Sequence, residues 1–503
     1  MINLVFIHTI DCKFEQNNFT MSVDVRLLEP KTVWNFFEDL NAIPRGSKKE
    51  DKVKEYVKNF GLGLGFQTKV DDIGNVIIKK PATPGMEDRV GVILQGHIDM
   101  VWQKNADTDF DFETQGIESY INGDWVTARG TTLGADNGMG VAAAMALLAS
   151  TNIPHPALEG LFTIDEETGM TGAKGLQGGE LDGQILLNLD TEDDDEITIG
   201  CAGGVDTVGL KSYKEVSPES NSTGLFIKVS GLSGGHSGMD IHTGRGNANL
   251  ILNRFLLDAD KFGGAISIIQ GGGLRNAIPR EANATLAVTD LDGFTNHVNE
   301  LASSIKEELG TTDPNFKVEL TTVETPAGVL PKEEQWKLVR AIYTIPNNVW
   351  RMSPDMENLT ETSSNLARIS VVNGKMSIET LQRSSVESQK WDIANGVRCA
   401  LEMMGAEVTH SGSYPGWTPK PSAPIVSLMG DLYKKMYNEP AKVSACHAGL
   451  ECGILGTNYP DVQMISFGPT IKGAHSPDER VKIKSVAKFW DYLLAILKEI
   501  PKA

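Results

Sequence analysis

Residues 89–100 read RVGVILQGHIDM, a continuous apolar run that stops abruptly at His97 and Asp99. A run of this kind has no polar face to turn toward water. It therefore reads as a strand buried on both faces, in a sheet covered by helices on either side. The flanking sequence agrees. Upstream, apolar residues recur at helical spacing over 33–40 and 48–60, and FQTKVDDIGNVIIKK (66–80) predicts a hairpin turning at Asp-Ile-Gly-Asn. Downstream, GMGVAAAMALLAS (138–150) predicts a buried Ala-rich helix. Residues 161–164 and 185–189 predict two further short strands, each running into acidic residues.

The pattern changes after GCAGGVD (200–206). Strand-like runs (TGLFIKVSG, AISIIQGGG, ATLAVTD, KVELTTVE) then alternate with Gly-rich turns and with helices over 294–309 and 334–343. Strands and helices pairing locally in this way indicate an α+β insert. Helix–strand alternation resumes with SAPIVSLMGDLYKKMY, KVSAC and VQMISF, and the amphipathic VKIKSVAKFWDYLLAILKEI closes the chain. The expected fold is thus α/β. Its mostly parallel sheet, flanked by helices, is built from residues 21–205 and 389–503 and interrupted by an α+β insert over 206–388. The first twenty residues read as a leader with Met21 as the working start. Their short apolar run lacks the basic residues of a signal peptide.

Composition narrows the function. The 503 residues carry 46 Lys and Arg against 66 Asp and Glu, a net charge of −20. That field repels polyanions, which argues against nucleic acid or an anionic membrane as partner. No stretch approaches the ~18 apolar residues of a membrane span. The 5 cysteines are scattered and never form CxxC, which argues against a disulfide framework or a thiolate zinc site and for a reducing, cytoplasmic location. There is no GxxxxGK[ST] phosphate loop and no HExxH, and GLGLGF (61–66) lacks the spacing of a dinucleotide fingerprint.

Five places share one layout, an apolar strand followed by His, Asp or Glu. They are His97 with Asp99, Asp136 in GTTLGADNGMG, Glu166-Glu167 in IDEETG, Asp190 in LLNLDTED, and His475 in KGAHSPDER. Strand ends of this kind converge on the crevice beyond the carboxyl edge of an α/β sheet. Imidazoles and carboxylates without thiolates suit Zn²⁺ or a comparable divalent ion. Taken singly, each has a plainer reading: a hydrogen-bonded histidine, or a helix N-cap in the case of Asp136. Recurrence at several strand ends, beside glycines such as Gly96 and Gly134 that let backbone pass closely or take positive φ, favours a shared site.

The motifs GHIDMV, GTTLGADNGMGVA, TIDEETGMTGA, LNLDTED, GGHSG and AHSPDERV, in this order, resemble the M20 family of di-metal peptidases. The longer stretches NLDTEDDDEITIGCAGG, GGHSGMDIHTGRGNAN and HAGLECG are similar to its aminoacyl-histidine dipeptidase branch. The resemblance runs from about Met21 to the end. It implies a catalytic domain over 21–205 and 389–503 and a lid over 206–388. His97 and Asp190 would hold one metal, Glu167 and His475 the other, and Asp136 would bridge both. Asp99 would orient His97, and Glu166 would be the general base for a water shared by two cations about 3.5–4 Å apart. The Asp136–Asn137 peptide would be cis.

The same resemblance makes His236 in GGHSG an oxyanion donor and gives substrate contacts to Asn276 in RNAIPRE and Arg383 in LQRSS. The last could clamp a dipeptide carboxylate with two parallel hydrogen bonds. His447 and Glu451 in ACHAGLECG would hold the substrate's amino end. From the residues alone, His236 among glycines is only a flexible turn, while Arg383 is equally a surface arginine and His447 with Glu451 a helix start with a buried polar contact. The implied activity is hydrolysis of unblocked dipeptides, including Xaa-His substrates of the β-Ala-His type. Two divalent ions would serve it, Zn²⁺ first, with Mn²⁺ or Co²⁺ as substitutes. Other readings are an N-acyl-amino-acid deacylase or carboxypeptidase of the family, and a non-catalytic metal-stabilised binding module. The resemblance admits a homodimer.

Overall fold

The computed structural model of the chain describes residues 24–503, so the expected leader and the start at Met21 lie outside the described residues. The first sheet has eight strands in the order Gln67–Val70, Val76–Lys80, Leu158–Thr163, Val92–His97, Ile185–Asn188, Gln463–Ser466, Glu196–Cys201 and Lys442–Cys446. Its centre is parallel, as expected: Val92–His97 lies between Leu158–Thr163 and Ile185–Asn188 and runs with both. All six residues of Val92–His97 are buried, which is why its sequence shows no alternation. The expected hairpin forms the antiparallel edge.

Helices cover both faces: Thr171–Gly175 and Glu451–Asn458 pack against Ile77, Ile93 and Leu161 on one, and the two helices that follow cover the other. Ala135–Ala149 is buried along almost its whole length, and its small side chains let it lie close against Lys31–Asn41 and the strand Val92–His97. The closing helix Ile483–Glu499 buries Val486, Phe489, Leu493, Ile496 and Leu497, spaced by three and four residues, in the same core. Gly96 lies where the sheet and the first of these helices meet, because a Cβ there would stand 2.3 Å from Asn137 Oδ1.

The second sheet has nine strands and its own hydrophobic core, built on Phe255, Phe294, Leu338 and Ile378 among others. The insert runs identified in the sequence pair antiparallel within it, joined by the long hairpin of Thr360–Val372 and Lys375–Ser384. The structure differs from the expected boundary at residue 388. Helix Glu387–Met403 and strand Glu407–Tyr414 also belong to this second sheet: Glu407–Tyr414 pairs with Gly203–Ser212, and Val397, Ala400, Leu401 and Met404 join its core. The expected boundary grouped residues from 389 onward with the first sheet, but the apolar face of this helix seals the second. The chain crosses back where Cys201 and Trp417 exchange backbone hydrogen bonds of 2.9 and 3.0 Å. Among the described residues, no helix is long and apolar enough to cross a membrane, and Cys201, Cys399, Cys446 and Cys452 are free thiols.

Candidate metal centre

Three neighbouring parallel strands deliver ligand candidates at one edge. His97 ends the middle strand opposite Thr163, Glu166 and Glu167 follow just beyond Thr163, and Asp190 follows the strand ending at Asn188. The other two arrive differently from the layout expected. Asp136 sits at the turn into Ala135–Ala149, but its φ of −82° and ψ of 111° are not helical, and the cap position belongs to Gly134. The Asp136–Asn137 peptide is cis. His475 comes from a loop between two short strands, Ile471–Lys472 and Arg480–Lys482, of a separate four-stranded antiparallel sheet.

The five side chains nevertheless meet. His97 Nε2 lies 3.2 Å from Asp136 Oδ1 and 3.5 Å from Asp190 Oδ1. His475 Nε2 lies 3.2 Å from Asp136 Oδ2 and 2.9 Å from Glu167 Oε2. Each oxygen of Asp136 thus faces a different imidazole, so its carboxylate stands between two donor pairs. Glu167 Oε1 and Asp190 Oδ1 are buried without a hydrogen-bond partner. Buried acceptors left without donors are costly unless a cation satisfies them. A set of imidazoles and carboxylates in this arrangement fits divalent metal ions.

Charge coupling is strong. Burial alone would raise the Asp136 pKa, but hydrogen bonds from His475 and His97 hold it well below the usual carboxylate range. His475 is pushed up to about 11 by Asp136 and Glu167. Burial opposes the charge on His97, yet Asp190, Asp136 and Asp99 raise it well above an ordinary imidazole. At pH 7 both rings therefore carry a proton when no metal is bound, and coordination must displace it. Metal loading should release protons and weaken as pH falls. Calorimetry in buffers of different ionisation heat measures this directly, and a binding heat independent of buffer would refute it.

Asp99 supports the ligands from behind. Its Oδ1 lies 3.2 Å from His97 Nδ1 and accepts the Glu166 backbone N–H at 3.1 Å, while Oδ2 accepts that of Glu167 at 3.3 Å and the Ser47 hydroxyl at 2.8 Å. Glu166 keeps partial exposure, as a group meeting substrate must. Burial pushes its pKa well above the usual carboxylate range; His97 opposes this shift, and Asp190, Glu167 and Glu451 reinforce it.

A second group of polar side chains gathers around a two-stranded sheet, Gly235–His236 with Ala277–Ile278, and the strand Lys375–Ser384. His236 Nδ1 accepts the backbone N–H of Gly238 at 3.2 Å and of Met239 at 3.0 Å, so its proton sits on Nε2. Burial and Arg383 hold its pKa below that of a free imidazole, which keeps it a neutral donor. Asn276 is exposed beside it: its carbonyl accepts the Ser237 N–H at 2.8 Å, and Ala277 pairs with His236. Arg383 is buried, not a surface arginine. Its Nη1 donates to the Tyr414 hydroxyl at 2.9 Å, and no carboxylate among the described residues pairs with it.

Two further candidates, His447 and Glu451, lie deeper. His447 shares a 2.7 Å hydrogen bond with Ser363 through Nε2, and burial, Arg383 and His236 push its pKa down to about 3. His447 is thus a neutral, buried imidazole bonded to Ser363, the buried polar contact that the residues alone also allowed. Glu451 is fully buried. Its Oε2 accepts from Gln95 at 2.6 Å and Thr163 at 2.7 Å, and Gln95 Oε1 accepts from Asn188 at 2.5 Å. Glu451 thereby ties two of the ligand-carrying strands together through Gln95 and Thr163, while its Oε1 is buried without a partner. Burial raises its pKa to about 7.

Sequence reading passed over two further residues. Arg45, fully buried, donates to the carbonyls of Asp99 at 2.9 Å and Gly134 at 2.6 Å, joining two ligand-bearing loops. Burial lowers its pKa to about 10, so it remains charged at neutral pH. Glu479 accepts from the backbone beside Asp136. Its place in the AHSPDER motif was the one available signal; an isolated Arg45, 89 residues from its Gly134 partner, offered none.

The comparisons with known proteins agree with this geometry. The chain is 42% identical over 478 residues to the cytosol non-specific dipeptidase of Escherichia coli, covering 94% of this chain and 98% of that one. The crystal structure of aminoacylhistidine dipeptidase from Vibrio alginolyticus matches with a TM-score of 0.91 at 43% identity, over 96% of this chain and 99% of that one. A tripeptidase from Staphylococcus aureus shares the fold alone, with a TM-score of 0.55 at 16% identity over 94% and 99% of the two chains. The profile of peptidase family M20/M25/M40 matches residues 93–499, and the chain belongs to that family.

Proposed function

We propose that this protein is a cytoplasmic dipeptidase that hydrolyses unblocked dipeptides, including Xaa-His substrates of the β-Ala-His type, with two divalent cations at the centre. Zn²⁺ is the preferred ion, and Mn²⁺ or Co²⁺ can replace it. One observation carries the reading: the two oxygens of Asp136 face the Nε2 atoms of His97 and His475 separately, with Asp190 and Glu167 beside them. The relatives named as dipeptidases, one of them as cytosolic, support the substrate class and the location.

When bound, such a pair of cations polarises the scissile carbonyl and lowers the pKa of water toward neutrality. Asp136, His97, Asp190, Glu167 and His475 hold them, and Asp99 fixes the His97 ring. Glu166 takes the proton from the attacking water and returns it to the departing amine. His236 donates its Nε2 proton in a hydrogen bond to the oxyanion that develops on the carbonyl. Arg383, buried without an acidic partner, takes the substrate's terminal carboxylate, and Asn276 lies beside His236 to bind the peptide.

Purified protein, stripped and reloaded with Zn²⁺, Mn²⁺ or Co²⁺, should release histidine from free Xaa-His dipeptides. N-acetylated amino acids and dipeptides with an amidated carboxyl end should be poor substrates, because the first lack the free amine and the second lack the charge for Arg383. No hydrolysis of any dipeptide with any of the metals would reject the proposal, and efficient cleavage of acetylated amino acids would replace it by a deacylase.

A further inference from the structure

Glu479 is 2% exposed, and no step of the reaction above uses it. Its two carboxylate oxygens accept four consecutive backbone N–H groups: Leu133 at 2.7 Å, Gly134 at 2.9 Å, Ala135 at 2.7 Å and Asp136 at 3.2 Å. Gly134 takes a φ of 72°, which lets successive amides turn inward and form an anion-holding concavity. On the far side of the same loop, Arg45 donates to the Gly134 carbonyl at 2.6 Å. The segment entering Asp136 is thus gripped from two sides by buried charges of opposite sign.

Glu479 also lies in the short loop segment that supplies His475. Its own carbonyl accepts the Thr127 hydroxyl at 2.9 Å, which anchors it to the four-stranded sheet. One hairpin therefore touches the Asp136 segment twice, through the His475 imidazole at Oδ2 and through the Glu479 carboxylate at the backbone. A carboxylate shared between two ions must present both oxygens within about 0.5 Å and 10–20° of the productive geometry. The backbone grip supplies that constraint.

We propose that Glu479 is a positioning residue for Asp136 and thereby sets the affinity of the centre for its divalent ions, an inference that rests on the metal site described above. Glutamine keeps the size of the side chain but replaces one acceptor oxygen by an NH₂ group that meets backbone N–H groups head on. Loss of such a supporting partner commonly weakens metal binding by about 10–100-fold.

The test titrates metal-stripped protein with Co²⁺ and follows its visible absorption, comparing the parent, Glu479→Gln and Glu479→Asp. A parent that binds no Co²⁺ refutes the metal reading itself. If the parent binds, Glu479→Gln is expected to bind about 10–100-fold more weakly with an altered absorption band, to regain activity as metal is raised, and to show an unchanged KM. Glu479→Asp, which keeps the charge, should fall between the two. Parental affinity and spectrum in Glu479→Gln, with only the melting temperature of the metal-free protein lowered, would overturn the proposal, as would failure of both variants to fold by circular dichroism.

Discussion

Glu166→Gln is expected to lower kcat on Xaa-His dipeptides by about a thousandfold, the middle of the ~10²–10⁴ range for a lost general acid–base. That corresponds to about 4 kcal/mol of barrier. The change is nearly isosteric, and the Glu166 backbone N–H still donates to Asp99, so the turn that presents Glu167 should survive. Metal content should therefore stay at the parental level. Elemental analysis after dialysis, run beside steady-state kinetics, separates the two effects. Parental turnover would reject Glu166 as the base and move that role to another group.

Asp136→Ala should show the opposite pattern. This carboxylate faces His97 with one oxygen and His475 with the other, so removing it takes a ligand atom from both donor pairs at once. Losing an outer supporting group costs about 10–100-fold in metal affinity, and losing a shared ligand should exceed ~100-fold. Dialysed protein should then carry little metal and no measurable peptidase activity. It should still be folded, because both hydrophobic cores lie outside this side chain. Parental metal content in this variant would show that the ions, if they bind, bind elsewhere.

How much of this was legible in the sequence depended on range. The strand at Val92–His97 was visible because burial on both faces removes alternation, and the closing helix Ile483–Glu499 because its apolar residues fall every three to four positions. Both signals are local. The boundary expected at 388 fell short of the second sheet's true end at Tyr414, because the local sequence does not say which sheet a segment packs on. Arg383 was uncertain for a similar reason: its burial follows from the long hairpin around it and from Tyr414, 31 residues away. Glu451 was open between a substrate contact and a buried polar contact at a helix start, and only the packing of its helix against Gln95 and Thr163 supplies the second.

The sequence by itself determined the chemical character of this protein: two imidazoles, several carboxylates and no paired thiols at chain breaks where apolar strands end, in an order that resembles one peptidase family. These features survive translation into a linear text because residue type and strand periodicity are properties of neighbours in the chain. Only the tertiary structure decided that Asp136 stands between His97 and His475, that Arg45 and Glu479 grip its loop, and that the second sheet extends to Tyr414. Those facts depend on hydrogen bonds between residues as far as 346 positions apart, and such contacts form only when two cores have packed and brought their edges together.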